Sequence, residues 1–177
     1  MSVLRADAQR NRDRILEAAA GAYAELGPDV TMDEVARRAG VGHGTIFRRF
    51  PTKDALRAAV VRMRIEELLV HARELLDRPD AAAAFEDFVW VAADACRRDR
   101  GLFEGIEQLE VADAKQELHD VVGQLIRRAQ RAGAIRRGLD VSDIGALIGA
   151  AIQASVHTER SGAWRRYVQV VLDGLKP

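Results

Sequence analysis

TMDEVARRAGVGHGTIFRRF, residues 31–50, is the stretch whose reading decides the fold. Thr31 is placed to N-cap a helix, and Glu34, three residues on, completes the pattern of a capping box. Val35, Ala36 and Ala39 give that helix one apolar face. Gly40 falls where the helix must stop and the chain must reverse, a position that often needs a positive φ. After Val41 and Gly42, His43–Phe50 reads as a second short helix with Ile46 and Phe50 four apart on its buried side. A small residue at 36, a glycine four on and an aliphatic six after that fit a helix-turn-helix. The small residue lets the helices cross closely, the glycine makes the corner, and the aliphatic pins the second helix. Thr45, Arg48 and Arg49 stay off the apolar face, where a DNA groove or its phosphates can meet them. By spacing alone, the same corner also fits a helical hairpin buried in a larger bundle.

Outward from this hinge, residues 10–26 read as a helix with Ile15, Ala18, Ala19, Ala22, Tyr23 and Leu26 on one stripe, closed by Gly27-Pro28. That stripe supplies the third wall of a small core behind the hinge. Residues 1–9 read as a mobile arm, with Arg5 the one group in it that would reach phosphate or a groove edge. On the other side Pro51-Thr52 breaks the second helix and Thr52 caps the next. Lys53 then sits in a first turn, where free N–H groups, the helix dipole and the ammonium together suit one phosphate.

Over residues 11–56 the chain resembles the DNA-binding region of the TetR family of bacterial transcriptional repressors. The resemblance rests on Ile15-Leu16, Ala18-Ala19, Gly27, Thr31, Ala39-Gly40-Val41, Gly44-Thr45, Phe50 and the run Pro51–Leu56. It does not extend with comparable strength into the C-terminal two-thirds. It implies a recognition helix over His43–Phe50, a phosphate contact at Lys53, and dimerisation through the last two helices. Two positions depart from the family pattern. Gly42 stands where a serine often begins the recognition helix, a change that costs only a few tenths of a kcal/mol as a cap. Phe47 stands where relatives have a tyrosine whose hydroxyl reaches phosphate, so that contact is lost or moved to Arg48. Gly44 is a poor helix former, by roughly 1 kcal/mol against alanine, and the family pattern suggests that it lets backbone approach DNA. The expected DNA interface is therefore Thr31, Gly42, His43, Gly44, Thr45, Phe47, Arg48, Arg49 and Lys53, with His43, Thr45 and Arg49 aimed at base edges.

The whole chain sets bounds on this reading. Its 177 residues can hold one ordinary domain or a small domain fused to a larger one, and the abundance of alanine, arginine and leucine, with few aromatics and four prolines, points to an all-α protein. The expected architecture is an N-terminal three-helix head over residues 1–52 and a C-terminal antiparallel bundle over 53–177, about nine helices in total. Basic and acidic residues balance at 27 each, so no global field draws the protein to nucleic acid. DNA binding must come from a local patch, to which Arg5, Arg10, Arg12, Arg14, Arg48, Arg49 and Lys53 contribute. Cys96 is the only cysteine, which excludes an intramolecular disulfide and a thiolate metal cluster and fits a reduced cytoplasm. The N-terminus has no apolar run behind its basic residues, and the most apolar stretch, Ile144–Val156, is too short to span a bilayer.

Beyond Lys53 the periodicity predicts a long linker helix to about Leu76, its apolar residues Leu56, Val60, Met63 and Val70 drifting around the axis. Further helices are predicted over 81–97, 101–109, 111–132, 142–157 and 164–175. Phe85, Phe88, Phe103, Ile126 and Leu147 are the candidate lining of a small-molecule effector pocket. The last two helices present Ile144, Gly145, Ile148, Gly149 and Ile152, then Trp164, Val168 and Val171, surfaces suited to a four-helix homodimer seam.

Chemistry for an enzyme is missing from the pattern. His43, His71, His119 and His157 lie far apart, and no zinc, nucleophile-elbow or nucleotide-binding signature occurs. Glu104, Glu107 and Glu110 read as a solvated face, and Cys96 as a packed thiol. No cofactor and no metal is expected. The leading function is a repressor released from a palindromic operator by a small molecule. The alternatives are a DNA-binding regulator that answers to a protein partner or activates, and a small helical enzyme that keeps the motif as scaffold.

Overall fold

A chain rich in strong helix formers and poor in β-branched runs has little choice of secondary structure. The computed structural model describes residues 3–103, 109–156, 158 and 162–177, without the side chains of residues 3–6 and 103. Among the described residues it has nine α-helices, one 3₁₀ turn and no strand, the all-α class expected. They are α1 (Val3–Leu26), a turn at Gly27–Asp29, α2 (Met32–Ala39), α3 (His43–Arg49), α4 (Lys53–Leu76) and α5 (Ala81–Arg98). Then follow α6 (Arg100–Phe103), α7 (Ala112–Arg131), α8 (Val141–Val156) and α9 (Ala163–Leu175). They cluster into two units, Met1–Arg64 with Arg98–Ala112, and Ile65–Arg97 with Asp113–Pro177.

In the first unit, α1 begins at Val3 and not near residue 10. The segment expected as an arm carries helix-compatible residues and two local pairs that favour a helix, Asp7 with Arg10 and Gln9 Nε2 donating to Asp13 Oδ1 at 2.8 Å. Ile15, Leu16, Ala19, Ala22 and Tyr23 are buried and meet Val35, Ala36 and Ala39 of α2, with Ile46 of α3 fully covered. Leu26, expected on the stripe, is 48% exposed at the end of α1, where the chain turns at Gly27 (φ +65). Short α6 packs on α1 and the 3₁₀ turn, and there a glycine is required: a Cβ on Gly101 would lie 2.7 Å from Gly27 Cα. Ile106, Glu104 and Glu107, expected on this helix, lie outside the described residues, and Glu110 is exposed.

The drift expected of α4 is present and includes Leu56 and Val60, but it continues through Val61, Ile65, Leu69, Ala72 and Leu75, all buried, whereas Met63 is half-buried and Val70 exposed. In the second unit, α7 ends at the left-handed Gly133 (φ +72), and Arg128 donates to Leu76 O at 2.6 Å and Leu75 O at 3.3 Å, satisfying carbonyls that the end of α4 would leave orphaned. Asp140 caps α8 by accepting from the N–H groups of Ser142 and Asp143 at 2.8 and 3.0 Å. Helices α8 and α9 pack on each other. Trp164 at the head of α9 meets Trp90 edge-on, centroids 6.1 Å apart, and carries the guanidinium groups of Arg97 and Arg165 over its ring. His157, expected at the end of α8, lies outside the described residues.

Candidate nucleic-acid interface

The hinge forms for backbone reasons that the sequence announces. Thr31 Oγ1 accepts from Glu34 N at 3.2 Å, the first half of the expected capping box. The second half differs. The Glu34 carboxylate is taken by guanidinium groups, with Arg37 Nη2 and Arg38 Nε both donating at 2.7 Å. Gly40 ends α2 at φ +64, ψ +38, with Val41 N bonded to Ala36 O at 3.0 Å and Gly40 N to Arg37 O at 3.2 Å. Those two bonds are the 6→1 and 5→2 pair of a Schellman motif, which only a residue at ease in the left-handed region closes without strain. A Cβ at Gly40 would also press on Arg14, whose Nη2 is 3.3 Å from that point and donates to Ala39 O at 2.6 Å.

The hydrogen bonds from Arg37 and Arg38 hold the Glu34 carboxyl at about 2, well below its ordinary 4.5. A carboxylate depressed on folding stabilises the fold at any pH above its unfolded value and loses that contribution as pH falls through the folded one. The head should therefore lose stability progressively as pH drops from about 4.5 towards 2. Acid titration of the wild type and of Glu34→Gln, followed by circular dichroism, checks this. The two curves should converge at the acid end, and parallel curves would remove Glu34 from the account.

Helix α3 starts at Gly42 (φ −72, ψ 151) and turns one face in: Ile46 is buried, and Phe50, just past its end, also packs inward. His43, Gly44, Phe47, Arg48 and Arg49 are exposed and Thr45 is half-buried. At Gly42 and Gly44 a Cβ would meet open space, so internal packing does not require glycine at either position. Phe47 is 37% exposed, and its ring lies 4.5 Å from that of His43.

The cations of this surface divide into two kinds, which the sequence does not separate. Arg37 and Arg38 are engaged with carboxylates, Arg38 reaching Glu25 at 2.8 Å in addition to Glu34. Arg48, Arg49 and Lys53 bond instead to neutral carbonyl oxygens: Gly44 O at 3.0 Å, Ala8 O at 2.8 Å and Pro28 O at 2.6 Å. A carbonyl orients a cation without cancelling its charge, so these three keep their full attraction for an anion. Arg10 pairs with Asp7 and Arg14 holds Ala39 O; both border an open groove of about 540 Å³ with Gly40, Gly42 and Thr45. The Arg5 side chain lies outside the described residues. Sequence reasoning missed Asp33, whose Oδ1 lies 2.6 Å from His43 Nδ1. Nothing in a ten-residue separation across a turn announces that contact.

The other candidate sets fare differently. Of the expected effector lining, Phe85, Phe88 and Ile126 are buried, Leu147 is 43% exposed, and the side chain of Phe103 lies outside the described residues. A cleft of about 330 Å³ in the second unit is bordered by Ile126, His119, Gln124, Arg127 and Leu139 and shares only Ile126 with that set. Of the expected dimer residues, Ile144, Ile148, Ile152 and Val168 are buried within their own unit, Gly145 is exposed, and Gly149, Trp164 and Val171 are half-buried. The exposed large apolar side chains on these helices are Leu147, Val156 and Val170. Among the described residues no cluster of histidine, cysteine or carboxylate could hold a metal ion, and no helix is long and apolar enough to cross a membrane.

Two short helices hinged on a left-handed glycine, the second with its polar and basic side outward, define a helix-turn-helix DNA-binding protein. Residues 15–60 match the family model of bacterial regulatory proteins of the tetR family, and residues 80–177 that of the SbtR-like transcriptional regulator C-terminal domain. An uncharacterized HTH-type transcriptional regulator of Mycobacterium tuberculosis is 35% identical over 136 residues, 71% of this chain and 69% of that protein. The crystal structure of a TetR regulatory protein from Mycobacterium vanbaalenii is 38% identical and superposes with a TM-score of 0.71 over 98% of this chain and 99% of that one. The TetR regulator SCO0520 from Streptomyces coelicolor is 29% identical, with a TM-score of 0.73 over 94% and 98%. The chain belongs to the TetR family of DNA-binding transcriptional regulators, and its relatives are regulators, not enzymes.

Proposed function

We propose that this regulator is a cytoplasmic homodimeric repressor that holds a near-palindromic operator and releases it when a small molecule binds. The observation that carries the DNA half is the outward edge of α3, flanked by Arg48, Arg49 and Lys53, which bond to carbonyl oxygens and to no carboxylate among the described residues. On this reading residues 1–52 form the DNA-binding domain and 53–177 the ligand-binding and dimerisation domain. Thr31, Gly42, Gly44, Phe47, Arg48 and Lys53 line the backbone, while His43, Thr45 and Arg49 face base edges. Exposed Gly44 lets backbone come close to DNA. Arg49 must leave Ala8 O to reach a base, a swing that an exposed side chain makes at little cost.

The dimer seam is proposed on α8 and α9. Ile144, Ile148, Ile152 and Val168 form its backing, and Gly145, Gly149, Trp164 and Val171 its face. Along α9 the half-buried or exposed Trp164, Tyr167, Val170, Val171 and Gly174 recur at helical spacing, an apolar stripe that supports an isologous partner. A two-fold mate would set the recognition helices about 34–36 Å apart, one turn of DNA. The effector is proposed to lie among the helices beyond residue 53, walled by Phe85, Phe88, Phe103, Ile126 and Leu147. It would act by favouring a tilt of α4 that spoils the spacing of the two heads, and only as far as it prefers that form.

The test is a mobility shift with the duplex upstream of the protein's own gene, repeated across salt concentrations and then against a small-molecule panel. Lys53→Ala should weaken every sequence alike and lower the salt slope by about 1. An unchanged slope takes Lys53 off the phosphate list. A panel in which nothing loosens the complex removes the effector half and leaves the DNA half standing.

A further inference from the structure

Asp33 in the first turn of α2 and His43 at the head of α3 meet outside the core, with side chains 76% and 69% exposed. Their contact is short, Oδ1 to Nδ1 2.6 Å, and the imidazole leans on Phe47 with the ring planes 38° apart. The hinge itself closes through backbone bonds, so this pair is not needed to form it. The nearest cations in sequence do not compete for Asp33, since Arg37 and Arg38 are engaged with Glu34 and Glu25.

An ionised carboxylate only accepts, so the hydrogen in this bond sits on Nδ1. That fixes the tautomer. In a neutral imidazole whose Nδ1 carries the proton, Nε2 has a lone pair and is an acceptor, and it is the nitrogen left over for another partner. The face of Phe47 limits rotation of the ring, a role for which a phenyl serves as well as a phenol.

We propose that Asp33 is a positioning residue that turns His43 into a hydrogen-bond acceptor at the front of the recognition helix, selecting a base with an exocyclic amine. In the major groove cytosine offers N4–H₂ and adenine N6–H₂, whereas guanine and thymine offer only acceptors at the matching places. The inference rests on the reading that α3 enters the major groove.

Two measurements test it. The first needs no DNA: side-chain ¹⁵N spectra of the full-length protein at about pH 8, where imidazole is ordinarily neutral. The wild type should show His43 as the Nδ1–H tautomer. Asp33→Ala should move it towards the Nε2–H form, and Asp33→Asn, whose amide oxygen still accepts, should keep it. A His43 tautomer indifferent to Asp33→Ala overturns the proposal. The second is selection from a random duplex library at the same pH with wild type, Asp33→Ala, Asp33→Asn, His43→Ala and the double variant. Wild type should prefer cytosine or adenine at one position per half-site by about fivefold to tenfold. Asp33→Ala and His43→Ala should each erase that preference, the double variant should lose no more, and Asp33→Asn should restore most of it. If wild type enriches a motif that the alanine variants enrich unchanged, this inference fails and the DNA reading survives. If they weaken all sequences equally, His43 is a phosphate contact and the inference fails likewise. If wild type enriches no motif, the DNA reading falls and takes the inference with it.

Discussion

Replacing Val170 by aspartate should leave a folded monomer with at least about a hundredfold weaker hold on its operator. Val170 is 66% exposed on α9, so the change buries no charge within its own chain and should not alter its melting. Across the proposed two-fold seam the same change puts one carboxylate from each chain into an apolar contact without a partner charge, which the seam would not tolerate. Losing the partner turns a two-headed grip into a single one. The effective concentration of the second head, worth a factor of about 10²–10⁴ in such arrangements, disappears without any DNA contact being touched. Sedimentation velocity and mobility shift on one preparation decide the matter. A Val170→Asp protein that sediments as a dimer and binds normally would move the seam elsewhere.

Asp99 is the second site of large effect. It sits at the corner between α5 and α6 with 1% of its surface exposed, its Oδ2 3.1 Å from Arg98 Nη2 and 3.6 Å from Arg64 Nε. The Arg64 side chain is itself only 14% exposed. Asp99→Ala removes a buried carboxylate from between two guanidinium groups, one mostly covered (Arg64) and one 44% exposed (Arg98). With Arg98 screened by solvent, the loss should be that of a buried acceptor removed from its donors, about 1–3 kcal/mol. In a chain of this size that corresponds to a melting point lower by about 2–12 °C. Asp99→Asn keeps the shape and a hydrogen-bond acceptor and should fall between. Calorimetry on the three proteins tests the claim, and a loss below about 1 kcal/mol for Asp99→Ala would show that the pair is solvated.

Local pattern carried most of the head. Thr31, Gly40 and Ile46 were legible because a cap, a left-handed corner and a buried aliphatic each act within a few residues, and chain chemistry alone settles such contacts. The outward side of α3 followed from the same periodicity. The capping box was half right: backbone geometry gave Thr31 its donor, but two arginines one turn on outbid the helix start for Glu34, and a charge-assisted bond is the stronger of the two. The effector lining and the seam were less legible, because α8 is apolar nearly all round and periodicity cannot tell a face turned to its own chain from one turned outward. Ile144, Ile148 and Ile152 look inward, and only packing says so.

What the sequence determined by itself is the all-α class, the hinge at Gly40, the DNA-binding family and the identity of the exposed residues on the second hinge helix. These rest on interactions between near neighbours, which any chain with that local order must make. What only the tertiary structure decided is how charges pair: that Arg37 and Arg38 are neutralised while Arg48, Arg49 and Lys53 are not, that Asp99 in a run of arginines is buried, and that Asp33 meets His43. Coulomb interactions and desolvation depend on distance and on exclusion of water, and neither is written in the order of residues along a chain.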